Sequence, residues 1–314
     1  FIIMRVIIIS LIITYVGKKG CVIAADTRKI AYFGNKDNLA LLEEELYSGG
    51  INTDEELVER AQELDMTIKI SQDGSKIATV DDVVRGEVSS KGAFETRRRR
   101  IYGTTNGFQI IELLGSDITS RNSGDKAIVI FGNKFAKAEA ERLLNDKWKS
   151  SLSLKFMGYI FEQIIKEVSR LTPTVGDECE VLLKQPEYTP TEAQEHLNKI
   201  IDKDVKLLHK FRQKLQEDLI EKSREIELAN NIIKEGPIGE VIKVDGNILE
   251  VKLNNKTSAY DGNWKELAGP NENVIMISED DNVKIGDEVV IENQDLCLKK
   301  NKSPLKCNII LCKA

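Results

Sequence analysis

FIIMRVIIISLIITYVGKKGCVIAADTRKI (residues 1–30) decides how the chain folds, because a single serine, Ser10, stands in the middle of a run rich in isoleucine. Three readings open from it: a membrane or signal segment, an ordinary buried strand, or a strand whose first residue does chemistry. The apolar run from Phe1 to Val16 contains Arg5, is shorter than the roughly 20 residues a spanning helix needs, and is followed by no small-residue cleavage site. It leads through Gly17, Lys18, Lys19 and Gly20 into a second β-rich run, Cys21 to Ala25. Two apolar strands joined by a tight polar turn predict a buried β-hairpin and no membrane insertion.

The rest of the composition narrows the chemistry. A chain of 314 residues can bury a substantial core and has room for two domains, or for one with a large appendage. Charged residues make up 31% and the formal net charge is −6, so no electrostatic footprint for nucleic acid is present, and the run Arg97 to Arg100 is too local to create one. The five cysteines, Cys21, Cys179, Cys297, Cys307 and Cys312, are scattered and sit mostly in apolar runs, which predicts reduced, buried thiols in a cytoplasmic protein. Cys307 and Cys312 lack further ligands at zinc spacing and are expected in a core. Only His196 and His209 are available, both in one charged helical stretch. A histidine-based triad or a zinc site is therefore not expected, nor is any cofactor.

Along the chain, residues 39–65 read as two short amphipathic helices, the second capped by Thr53 with Glu56 completing a capping box. Strands are predicted at 66–71, 75–80, 83–89, 98–104, 107–114 and 126–131, helices at 135–148 and 152–171, and a strand at 179–184. That order predicts an α+β domain over 1–185, with helices packed on antiparallel sheet. Thr189, Pro190 and Glu192 open a long amphipathic helix or helical hairpin, and 186–235 reads as a helical linker. Ile201, Leu208 and Leu215 form one seven-residue series on it and Leu219, Ile226 and Ile233 another, a seam for docking or for oligomerisation. Past Gly236, five short strand-like pieces separated by polar turns predict a small β-barrel over 236–314.

A hydroxyl at the start of a buried strand, with an aspartate at the far end of the following one, suggests N-terminal-nucleophile chemistry. There the first residue supplies the attacking hydroxyl and, through its own α-amine, the base that activates it. An α-amine has a reference pKa near 8, so it is partly neutral at cytoplasmic pH and replaces the missing histidine.

The stretch SLIITYVGKKGCVIAADTRKI resembles the opening of proteasome β subunits, in which a nucleophilic threonine begins a strand, a Gly-Lys-x-Gly turn follows, and a Val-Ile-Ala-Ala-Asp segment ends in the active-site aspartate. Ser10 and Asp26 are sixteen residues apart, as the nucleophile and aspartate are in that family. Glu43 to Gly50, the strand Arg97 to Tyr102, and Phe131-Gly132-Asn133 followed by a helix and Trp148-Lys149-Ser150 are similar to a narrower relative, the archaeal connectases. That resemblance implies an Ntn-hydrolase-like, proteasome-β-like sandwich. It also implies a transpeptidase: an enzyme that cuts at a Lys-Asp-Pro-Gly-Ala-type motif, keeps the upstream part as an acyl-enzyme on Ser10, and passes it to another amine. The implied partner is a protein substrate, taken in methanogens to be one subunit of the tetrahydromethanopterin methyltransferase.

Two departures stand beside it. Serine replaces threonine, which keeps the hydroxyl, and FIIMRVIII precedes Ser10, with Ile9 where proteasomes carry glycine. These nine residues are then either an upstream extension or a propeptide to be removed; if they stay, the enzyme is inactive. The family's basic residue and its oxyanion-hole glycine fall, by resemblance, on Arg100 and Gly115, with Arg for Lys and a gap one residue different. Asp26 is expected to hold that cation, and Asn133 stands in the loop where proteasomes place an orienting serine. A proteasome-like hydrolase and a non-catalytic scaffold, with Ser10 a core residue and the barrel binding a partner, remain as alternatives.

Overall fold

The computed structural model describes residues 3–8, 11–91, 95–149 and 151–314, with residues 3–8 and 91 described by their backbone. The expected hairpin forms from β2 (Ile12–Gly17) and β3 (Gly20–Asp26). Its turn requires glycine at position 20, where φ is 123° and a β-carbon would strike the Lys184 carbonyl. Every residue of β3 is buried, because the strand has a sheet on one face and helices on the other. Cys21, Ile23 and Ala25 point one way while Val22 and Ala24 point the other, so both faces must be apolar and the strand reads as one continuous run.

The opening run does not form one strand. Its first part, β1 (Ile3–Ile8), belongs to a different sheet from β2, and Ser10 lies outside the described residues. After β3 come β4 (Lys29–Gly34), α1 (Lys36–Ser48), α2 (Asp54–Glu63), β5 (Thr67–Ser71), β6 (Ile77–Val80), β7 (Val83–Lys91), β8 (Thr96–Thr104), β9 (Gly107–Leu114) and β10 (Asp117–Gly124). These strands make an antiparallel sheet in the order β10-β9-β8-β7-β1-β4-β5, with β6 paired to β7. Next, β11 (Ala127–Phe131), α3 (Lys134–Lys147), α4 (Leu154–Val168) and β12 (Cys179–Lys184) complete the smaller sheet, β11-β2-β3-β12.

The layers follow from which side chains are apolar. Ile12, Val16, Cys21 and Ile23 meet Ile77, Val84 and Ile101 between the two sheets. On the other face of the smaller sheet, Ile13, Val22 and Ala24 pack under Phe161, Ile164 and Ile165 of α4 and Ala140 of α3. Outside the larger sheet, Tyr102, Ile111 and Leu113 pack with Leu197, Ile200 and Ile201 of α5 (Pro190–Asn230). The order is helices, sheet, sheet, helix, a mixed α and β architecture as expected.

Two strands escape the sequence reading. One is β4, which lies between β1 and β5 in the larger sheet; the other, β10, DITSRNSG, is exposed almost throughout and forms because β9 offers it a hydrogen-bonding edge. The capping expectations hold: Thr53 Oγ1 accepts from the Glu56 amide and Thr189 Oγ1 from the Glu192 amide.

The chain divides into two compact units, residues 1–211 and 212–314. The second contains nine short strands, from β13 (Gly236–Asp245) to β21 (Ile310–Lys313), rather than five. They form a six-stranded and a three-stranded antiparallel sheet around Ile238, Val241, Leu249, Val251, Met276 and Leu298. Cys312 is buried and Cys307 packs against this core, as their apolar surroundings predict. No helix among the described residues is long and apolar enough to cross a membrane.

Candidate active site

Asp26 ends β3, and its side chain is wholly buried. An unpaired carboxylate there would cost several kcal/mol, so the site must be built around it. Four donors among the described residues do this. Oδ1 accepts the Leu11 amide at 2.8 Å, and Oδ2 accepts Lys76 Nζ at 2.7 Å and the amides of Gly176 and Arg28 at 3.1 and 3.2 Å. The Leu11 amide is the N–H of the peptide bond that joins Leu11 to Ser10. The Asp26 amide returns a bond to the Leu11 carbonyl at 3.3 Å. The aspartate therefore grips the chain at the residue directly after Ser10.

Lys76 precedes β6 and is as buried as its partner, with 1% of its side chain exposed. A turn puts it there: the Gly74 amide donates to the Thr27 carbonyl, and the Glu87 amide of β7 to the Lys76 carbonyl. Burial pushes the Lys76 ammonium below the usual lysine range, Asp26 opposes that, and the neighbouring charges of Arg28 and Lys29 reinforce it.

The cation held by Asp26 is thus Lys76 and not Arg100. Along β8 the side chains alternate, and Ile101 takes the inner face between the sheets, so Arg100 faces outward. There it pairs with Glu87 and with Asp204 of α5, and its Nη1 lies 3.4 Å from the Tyr102 hydroxyl. Gly115 lies in the β9–β10 turn with φ 67°, its amide donating to the Thr96 carbonyl at 2.8 Å and its carbonyl accepting from Arg98. That N–H is already taken by β8.

Asn133 caps α3, its Oδ1 accepting from the Ala136 amide, while its Nδ2 donates to Thr174 Oγ1 at 2.9 Å. Thr174 Oγ1 lies 3.0 Å from Thr172 Oγ1, and both threonines are fully buried. Asn133 therefore ties the β11–α3 junction to the loop that presents the Gly176 amide to Asp26.

The chain on either side of Ser10 is in register with the walls of a cleft. Upstream, Ile7 and Ile8 pair with Ser90 and Ser89 of β7; downstream, Ile12 pairs with Phe131 of β11. The cleft, about 600 Å³, is lined by Ser89 and Ser90, by Arg97 and Arg99 of β8, and by Gly132 and Asn133. The sequence carries one local signal for Lys76, which went unused: a single cation between the turn Asp73-Gly74-Ser75 and the apolar start of β6. The insertion of α1 and α2 between β4 and β5 puts it fifty residues beyond Asp26, too far for a spacing argument.

Comparison with known proteins bears on the same residues. The family model described as "Connectase MJ0548-like, N-terminal domain" matches residues 9–206, and "Connectase MJ0548-like, C-terminal domain" matches residues 210–312. Among solved structures, Anbu (ancestral beta-subunit) from Yersinia bercovieri is 12% identical, with 56% of this chain and 80% of that one covered and a TM-score of 0.24. No curated protein matches at a significant level.

Proposed function

Since the chain belongs to the connectase family, we propose that it is a transpeptidase that forms an acyl-enzyme on Ser10 and transfers the acyl group to a second peptide amine, on a proteasome-β-like Ntn scaffold. The observation that carries this reading is the Asp26 carboxylate, buried with Lys76 and bonded to the amide directly after Ser10. A polar cluster this costly to bury, at the start of an apolar strand, is placed for chemistry rather than for stability.

With Ser10 as the first residue, its hydroxyl attacks the carbonyl carbon of the scissile peptide bond and its α-amine takes the hydroxyl proton. The tetrahedral intermediate collapses with the C–N bond breaking, and the leaving amine receives that proton. An ester on Ser10 remains. An incoming amine then attacks the ester, the Ser10 alkoxide leaves and is reprotonated, and a new peptide bond is formed. Lys76 holds the Asp26 carboxylate in place, and its positive charge favours the neutral α-amine. On this reading residues 1–185 are the catalytic domain, 186–235 a helical linker and 236–314 a barrel that helps retain a protein substrate. The substrate is a Lys-Asp-Pro-Gly-Ala-type segment, as in the methyltransferase of methanogens, and the setting is cytoplasmic.

The test uses chain beginning at Ser10 and two peptides that share the motif but carry different tails. Exchange of the tails to an equilibrium mixture, read by mass spectrometry and absent in Ser10→Ala, is expected. Accumulation of cleaved acids alone would replace the transpeptidase with a hydrolase. Unchanged peptides with no adduct at Ser10 would leave the binding scaffold.

A further inference from the structure

The floor of the cleft is laid out in rows across three strands. Gly86, Ile101 and Ile110 are cross-strand neighbours, and a β-carbon at Gly86 would collide with Ile23 of the smaller sheet, which fixes this row in the interior. Because side chains alternate along a strand, the next rows on the same face are Val88, Arg99 and Glu112, then Ser90, Arg97 and Leu114. Two arginines therefore line the inner face where the interior opens into the cleft.

Their charges are not equally answered. Arg99 lies 3.6 Å from Glu112, and its guanidinium stacks over the Phe131 ring at 4.9 Å, which fixes it against the cleft wall. Arg97 has neutral neighbours on both sides, Ser90 and Leu114, and no acidic partner among the described residues. A cleft about 600 Å³ in size, beside the residues that flank Ser10, thus has among the described residues that line it one carboxylate, Glu112, against the two guanidinium groups on its inner face.

We infer that this cleft binds an acidic side chain of the acyl-donor peptide, with Arg97 pairing to its carboxylate and Arg99 held alongside by Phe131 and Glu112. A guanidinium fork matches a carboxylate in two parallel N–H···O bonds, which gives direction as well as charge. Arg97 is then a specificity-determining residue that selects the donor and does not take part in bond exchange. The inference rests on the transpeptidase reading for which peptide enters, and its test separates the two.

Labelled Lys-Asp-Pro-Gly-Ala and Lys-Asn-Pro-Gly-Ala peptides are titrated against Ser10→Ala protein that begins at residue 10, by fluorescence anisotropy, so that binding is read without turnover. The carboxylate peptide is expected to bind at least tenfold more tightly than its amide counterpart. Arg97→Gln should bring that ratio close to one by weakening the Asp peptide alone, Arg97→Lys should restore part of it, and raising the salt should reduce it. Circular dichroism of the variants is expected to be unchanged, since Arg97 is exposed. Equal binding of the two peptides, or a ratio that survives Arg97→Gln, would overturn the inference. Discrimination that follows Arg97, in a protein whose Ser10 form exchanges no tails, would sustain the carboxylate site and remove the transpeptidase.

Discussion

At the scale of single residues, the site depends on how a buried aspartate is satisfied. Asp26 is legible in the sequence because it ends a wholly apolar run, where a carboxylate is too costly to be accidental. Lys76 is not, because the pairing is made across fifty residues by the packing of β6 beside β3. The arginine run drew attention away from it: four cations look more like an active-site charge than one, yet strand alternation turns Arg100 toward α5. Replacing Lys76 with Met leaves Asp26 buried with amide donors alone, and should cost about 3–5 kcal/mol of stability together with all transfer activity. The pH dependence has a definite sign. Lys76 releases its proton at a lower pH in the folded chain than in the unfolded one. Between its lowered value and the usual lysine range, the unfolded chain binds more protons, so stability rises with pH there. Denaturant titrations of wild type and Lys76→Met across the alkaline range should show the difference between them growing with pH. A difference that shrinks would mean that the pairing with Asp26 outweighs burial.

At the scale of elements, the sequence shows most of the periodic pieces and little of what joins them. Hairpin, capped helices and the β12 strand are written in local pattern; β10 is not, because its residues carry no apolar alternation and its edge is supplied by β9. The seam of α5 is half right: Ile201 is buried against the larger sheet and Leu208 packs beside it, while Leu215, Leu219 and Ile226 are each at least 50% exposed. What fixes the first half is a charged clamp that no local pattern reveals. Asp204 accepts both contacts of Arg85 Nη1 at 2.7 and 3.0 Å, Arg100 Nη1 at 3.0 Å and the Tyr102 hydroxyl at 2.6 Å. Burial would raise its pKa, but the Tyr102 hydroxyl and the Arg85 charge outweigh it and hold the carboxyl below the usual aspartate range. The stabilisation is therefore present above the ordinary aspartate value and is lost as pH falls through the lowered one. Asp204→Ala leaves Arg100, whose side chain is 5% exposed, with Glu87 as its one charged partner among the described residues. A loss of about 3 kcal/mol is expected, together with faster amide exchange in residues 193–204. Unchanged exchange there would mean that the apolar contacts of Leu197 and Ile201 suffice.

At the scale of the whole chain, the opening segment does more than precede Ser10. β1 pairs with β4 over five residues, Ile3 to Ile7, and with β7 through Ile7 and Ile8, and it is the link between those two strands in the larger sheet. An apolar run on its own cannot announce this, because membership of one sheet or the other is decided by partners far along the chain. If residues 1–9 are removed to expose Ser10, β4 and β7 lose that partner, and each presents an unpaired row of N–H and C=O groups where β1 had been. An extended peptide fits such a slot by adding a strand, with main-chain bonds supplying affinity and the cleft selecting the side chain. Chain beginning at Ser10 should therefore show faster amide hydrogen exchange than the full chain in Lys29–Gly34 and at Ser89 and Ser90. Saturating motif peptide added to the Ser10→Ala form of that shortened chain should slow exchange again at those same amides. Protection appearing elsewhere, or exchange in β4 indifferent to the loss of residues 1–9, would show that the donor does not take the place of β1 and that the segment is an independent addition to the sheet.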